Sequence, residues 1–210
     1  MMKLVLTTPK LNIKKNILSK NIRDILHPII IIDEIIKLYG CLTVKFSKYT
    51  HIPQSTNEMA NREIVYVHTT EVNKNLDELF QLSQKQELCF HSTIRFYSGE
   101  VKQIPMIDFL GRDLNRIQFR LKTVLDTKIY KSIYIFDSGK SYHGYSTTLL
   151  TQQEWVYFMG SLLLSNLPNE EQIVDTRWIG HSLRVGESGL RWSHNTSFYG
   201  KVPTLVKQFE

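Results

Sequence analysis

The residues best suited to chemistry lie at 136–146, where the chain reads FDSGKSYHGYS. Ser138, Lys140 and His143 gather a hydroxyl, an ammonium and an imidazole on one short loop. Together with the backbone N–H groups of a Gly-Lys-Ser tip, they offer several donors to a single phosphate, a place to hold a nucleotide tail. The same residues also make an ordinary surface hairpin with an exposed histidine, and spacing does not separate the two. Two acids, Asp108 and Asp175, each end an apolar run, the first after Met106-Ile107 and the second after Ile173-Val174. A carboxylate at the end of a buried strand is costly unless it is paired, hydrogen-bonded or metal-bound. Asp108 also reads as a brace for the loop 110–113.

The elements that must position these groups follow from periodicity. Residues 129–136 (IYKSIYIF) alternate and are rich in aromatic and β-branched side chains, and the stretch after the Ser-Gly-Lys-Ser turn is similar, so the two are expected to pair as a β-hairpin. Strands are expected at 63–69, 88–97 and 101–109, the last two joined by Ser98-Gly99-Glu100, with Pro105 marking an edge or a bulge. Helical spacing covers 75–86. It recurs at 114–125 behind Asp113 as N-cap, and from Thr151 to about residue 165 behind a capping box with Glu154. A further helix runs from Asp175 towards Gly186, then a strand at 190–194 and a turn and final strand within 195–205. The apolar run at 29–38 after Pro28 fits a buried helix better than a strand. Strands interspersed with helices and hairpins give an α/β or α+β class with a mixed or antiparallel sheet.

A chain of 210 residues, 42% hydrophobic, can bury one sizeable core or two subdomains that share one. The net charge of +6 favours an acidic partner, with nucleic acid or nucleotides the natural candidates. The basic stretch Lys10, Lys14, Lys15, Lys20 and Arg23 shows no interleaved aromatic residues and reads as a solvated face. Cys41 and Cys89 form neither a disulfide framework nor a zinc module. No apolar run has the length of a signal peptide or a membrane span, so a cytoplasmic protein without membrane contact is expected. Residues 1–60 are expected as an amino-terminal helical segment that either completes the core or docks a partner, and 61–210 as the primary functional core.

From residue 88 onwards these pieces resemble the archaeo-eukaryotic primase superfamily in their order. Its first motif, an apolar strand ending in an acid pair, is similar to Pro105 through Leu110, with Asp108 as the first acid. Its hairpin motif, of the form S-x-G-x-H or S-G-R-G-x-H, is similar to Ser138 through His143. Its third, an apolar residue before Asp, is similar to Val174-Asp175, and Arg184, Arg191, Ser193, His194, Lys201 and Pro203 resemble the segment that follows. The resemblance implies a core built from an α/β unit and an RRM-like unit, and template-directed nucleotidyl transfer on DNA or RNA. It implies Asp108 and Asp175 as ligands of Mg²⁺ or Mn²⁺. His143, Ser138 and Lys140, with Arg191, Ser193 and Lys201, would bind the nucleoside triphosphate, and His143 joins the two acids as a catalytic residue. A role in DNA replication follows, in which a helicase or another replication or defence protein would be the partner that unwinds or recruits template.

The first motif departs from the family at Leu110, where a second acid would share the strand face with Asp108. Asp113 lies beyond the strand, and Asp137 is expected on the opposite face of the hairpin. Two functions therefore stay open: a primase-polymerase-like nucleotidyltransferase, and an inactive module on the same fold that binds nucleotide, single-stranded nucleic acid or a protein. A plain RRM-like RNA binder would need aromatic residues on adjacent strands, which the sequence does not make evident.

Overall fold

The computed structural model describes residues 26–40, 42–56 and 61–210. The basic stretch at 10–23 and Cys41 lie outside them. The chain is α+β, and every strand pairing among the described residues is antiparallel.

The first sheet has five strands: β1 (Leu42–Thr50), β2 (Arg62–His68), β3 (Gln86–Phe96), β4 (Val101–Gln103) and β8 (Gly189–Arg191). They run in the order β2-β1-β3-β4, with β8 also pairing β3. The second sheet has the order β5-β7-β6-β9, from β5 (Met106–Asp108), β6 (Ile133–Asp137), β7 (Tyr142–Ser146) and β9 (Thr204–Gln208). Alternation along the second sheet divides its side chains between two cores. Met106, Phe136 and Tyr145 join the first sheet's Val44, Phe46 and Phe90 and helix α1 (Ile29–Tyr39). Ile107, Ile133 and Ile135 face the other way, against α3 (Leu114–Val124) and α5 (Gln152–Leu164).

Local chemistry sets the boundaries. Asp113 accepts hydrogen bonds from the N–H groups of Asn115 and Arg116 and starts α3. Thr151 and Glu154 close a full capping box on α5. The short α2 spans Val72–Leu79, so the helix expected at 75–86 begins and ends earlier; Gln86 already belongs to β3, in register with Thr50. The single strand expected at 101–109 is two strands in different sheets. Pro105, which has no N–H to donate, sits at the crossing, and its carbonyl accepts from the N–H of Ser146. The expected strand 129–136 begins with one helical turn, α4 (Thr127–Lys131), because Asp126 caps the N–H of Lys128 at 2.7 Å. The strand expected at 190–194 is shorter, and the final strand lies at 204–208, later than the 195–205 turn-and-strand reading. Within the amino-terminal segment expected to be helical, Leu42, Val44 and Phe46 alternate with Thr43 and Lys45, and residues 42–50 form β1, which lies between β2 and β3. No helix among the described residues is long and apolar enough to cross a membrane.

Candidate nucleotide-binding cleft

Where the two sheets meet, β5 brings Asp108 into direct register with His143 on β7. Opposed residues of an antiparallel ladder share a face, so the carboxyl and the imidazole point the same way, with His143 Nε2 3.8 Å from Asp108 Oδ1. The β6-β7 loop stands beside them. Its turn is closed by Ser138 N–H donating to the Ser141 carbonyl at 2.9 Å, and the Ser138 hydroxyl donates to the same oxygen. Gly139 supplies the positive φ of +102° that the tip requires. Asp175 arrives from the far side as the N-cap of α6 (Thr176–Val185), accepting from Arg177 and Trp178 N–H at 2.8 and 3.0 Å.

The cleft so formed has a volume of about 370 Å³ and is lined by Asp108, Ser138, Lys140, His143, Asp175 and Arg191 among others. That lies in the ~300–1,000 Å³ range of small-molecule sites. Burial, and then the negative charge of Asp175, push the Asp108 carboxyl up to about 7, against the pull of Arg191. Burial pushes His143 down to about 3, helped by the Arg191 guanidinium, so its imidazole is neutral at physiological pH and does not form an ion pair with Asp108. His143 Nδ1 and Arg191 Nε are buried without a hydrogen-bond partner among the described residues. Such atoms are costly to leave unmatched and are suited to an incoming polar ligand.

Not every expected ligand faces the cleft in the expected way. Arg191 is buried and donates to three carbonyls, those of Ser193, Lys201 (3.1 Å) and Ser138 (2.7 Å), so it ties β8, the carboxyl-terminal segment and the hairpin together. The Ser193 hydroxyl donates to buried Glu87 and accepts from Leu88 N–H, and this residue does not line the cleft. Lys201 also lies off the cleft wall, with its ammonium on Asp137 at 2.9 Å. Asp137 is held by that contact and by Arg112. Asp113 is used up as a helix cap.

Several wall residues carried no sequence signal: Tyr49 from β1, Arg62 from β2, Arg177 and His181 from α6, and Tyr199. Arg191 lies 4.1 Å from the Tyr199 ring centre and Arg62 4.5 Å from that of Tyr49. Tyr49 and Arg62 come from segments without a motif, and the pairing of β1 with β2 and β3 brings them to the cleft.

Asp108 and Asp175 suit a divalent cation in one respect. Burial, with the repulsion of Asp175 added to it, favours a proton on Asp108 that a cation would replace. Among the described residues no group of three or more His, Cys, Asp or Glu side chains is placed to hold a metal. The rest of a coordination shell would therefore fall to phosphate oxygens and water.

A family model described as archaeo-eukaryotic primase 1D-like matches residues 67–204, more than half of the chain. The fold is similar to the crystal structure of the catalytic domain of primase RepB' in complex with initiator DNA. The TM-score is 0.50 and the identity 13%, over 87% of this chain and 85% of that one. A second crystal structure, of primase RepB', matches with a TM-score of 0.45 and 12% identity, over 84% of this chain and 55% of that one. No curated protein matches.

Proposed function

This chain belongs to the archaeo-eukaryotic primase-like family, and from that premise we propose that the cleft binds a nucleoside triphosphate with Mg²⁺ or Mn²⁺ for nucleotidyl transfer on a nucleic-acid template. The observation that carries this reading is the direct register of Asp108 with His143 beside the Ser138–Ser141 turn, with Asp175 facing them. That a relative of the same fold was crystallised with initiator DNA supports nucleic acid as the second substrate.

In this reading Asp108 and Asp175 hold the cation. A bound divalent cation supplies charge neutralisation at the phosphate oxygens. His143 donates from its neutral imidazole to a phosphate oxygen, and Lys140 at the exposed tip adds charge. Arg191 acts chiefly by fixing the hairpin against β8, and its buried Nε has no hydrogen-bond partner among the described residues. Ser138 offers its hydroxyl oxygen and backbone from the turn.

One observation favours a second reading, in which the cleft holds nucleotide without polymerising. Leu110, half exposed on the cleft wall, stands where the family pattern has a second acid. A two-metal displacement then lacks a bridging carboxylate.

Calorimetry with a nucleoside triphosphate and Mg²⁺ or Mn²⁺ tests the cleft. Binding is expected to require metal, to vanish with chelator, and to weaken about tenfold or more in Asp108→Asn and in His143→Ala. Absence of binding under every metal condition would overturn both readings. A primer-synthesis assay then separates them: metal-dependent incorporation supports transfer, and tight binding without incorporation supports the second reading.

A further inference from the structure

A second, smaller cleft runs between α6 and the first sheet, and it shares Arg62, Trp178, His181 and Gly189 with the first, so the two form one groove. Its floor is the face of the sheet turned away from the core. Register shows where this face leads. Lys45 on β1 lies opposite Tyr66 on β2, and Thr43 lies opposite both His68 and Arg95, which places these side chains on one face. The Lys45 ammonium pairs with Glu187, a wall residue of the second cleft, so Tyr66 stands where the groove emerges beside α6.

Beyond that exit the face carries aromatic rings in water. Tyr66 is 62% exposed and Tyr97 79%, and the His68 and Tyr97 rings lie 5.1 Å apart. Arg95 is exposed beside them. A lone exposed tyrosine needs no explanation, but three neighbouring rings with a guanidinium, at the mouth of a groove, do. The acids on this face do not oppose an anion there. Glu87 is buried under donors from Ser193, Asn195 and Thr196, and Glu187 is engaged by Lys45 and Thr93.

We propose that this face is a track for single-stranded nucleic acid. Bases stack on Tyr66 and Tyr97, Arg95 meets the backbone phosphates, and the strand passes Arg62 into the triphosphate cleft. The proposal rests on the nucleotide reading of that cleft for the strand's destination only. Stacking of this kind is sequence-tolerant, because every base presents a π-face, and the phosphate contact makes affinity fall with salt. The register, not the sequence, supplies the aromatic residues on neighbouring strands that a sheet-face reader of single strands uses.

Fluorescence anisotropy of a labelled oligo(dT) of about 15 nucleotides, long enough for such a track, on the full chain at fixed salt is the test. Tyr66→Ala and Tyr97→Ala are each expected to weaken binding about tenfold, while Tyr66→Phe and Tyr97→Phe retain it, all four melting as the wild type does. Failure of the wild type to bind the oligonucleotide, as expected if these rings serve a protein partner, would overturn the track. So would alanine variants that bind it like wild type. Calorimetry with triphosphate on the same variants keeps the two readings apart. If triphosphate does not bind but the rings still govern oligonucleotide affinity, the cleft reading fails and the track stands.

Discussion

The backbone N–H of Asp175 donates to the carbonyl oxygen of Asp108 at 2.9 Å, next to a bridge between Phe109 and Val174. One short antiparallel contact thus fixes the spacing of the two acids, although one ends a strand and the other starts a helix. Both cap bonds fall on Asp175 Oδ1, which leaves Oδ2 for the cleft.

Asp175 consequently has two separable duties. Asp175→Ala is expected to lose the cap, at a cost of about 1 kcal/mol, together with metal-dependent triphosphate binding. Asparagine caps as well as aspartate, so Asp175→Asn should unfold in urea like the wild type while binding triphosphate more weakly. Wild-type affinity in the asparagine variant would reduce Asp175 to a cap.

Arg191 should not tolerate lysine. The planar guanidinium reaches carbonyls on three segments at once, and an ammonium on a flexible stem cannot. Arg191→Lys is expected to cost about 2–3 kcal/mol of stability, because buried carbonyls lose their charged donor. Triphosphate affinity should fall with it, because the hairpin carbonyl of Ser138 loses its anchor. Denaturant midpoints and calorimetry on the same preparation check both.

Gly139 is the hairpin residue least open to change. A Cβ there would stand 3.2 Å from the backbone nitrogens of Gly200 and Lys201, at a φ of +102° that side chains rarely adopt. Gly139→Ala should lower stability by about 1–2 kcal/mol and displace the turn that carries Ser138 and Lys140. A thermal melt unchanged from wild type would show that the tip moves freely.

Acid should destabilise the fold through His27. Burial pushes this imidazole from its ordinary 6.5 down to about 4, opposed by its bond to Trp192 and aided by the Arg191 charge. Its neutral form is fully used: Nε2 bonds the Trp192 carbonyl at 2.8 Å and Nδ1 accepts from Ile29 N–H at 3.1 Å. The unfolded chain takes up this proton below 6.5 and the folded chain only near 4. The contribution is therefore intact above pH 6.5 and is lost as pH falls towards 4, about 2 kcal/mol being gone by pH 5. His91, also pushed down by burial, acts in the same direction. Urea midpoints at pH 7 and pH 5 should differ less in His27→Gln than in the wild type.

Much of this was legible in the chain. The caps of α3 and α5 and the hairpin turn are local chemistry, in which a side chain meets backbone a few residues away. The Asp108 and Asp175 motifs, the hairpin and the family they resemble were read in order. Other features were not legible. Pro105 signalled an interruption but not that the strand would change sheets, and no local signal told that Ser193 would turn to Glu87 or Lys201 to Asp137. Residue order alone was enough to set most of the elements, their caps and which acids and donors were available. It took the packed molecule to show that Asp108 opposes His143, that Arg191 is spent on carbonyls, and that Tyr66 and Tyr97 share an open face. Those relationships depend on strand register and on which face each strand buries, which long-range packing fixes and no local propensity encodes.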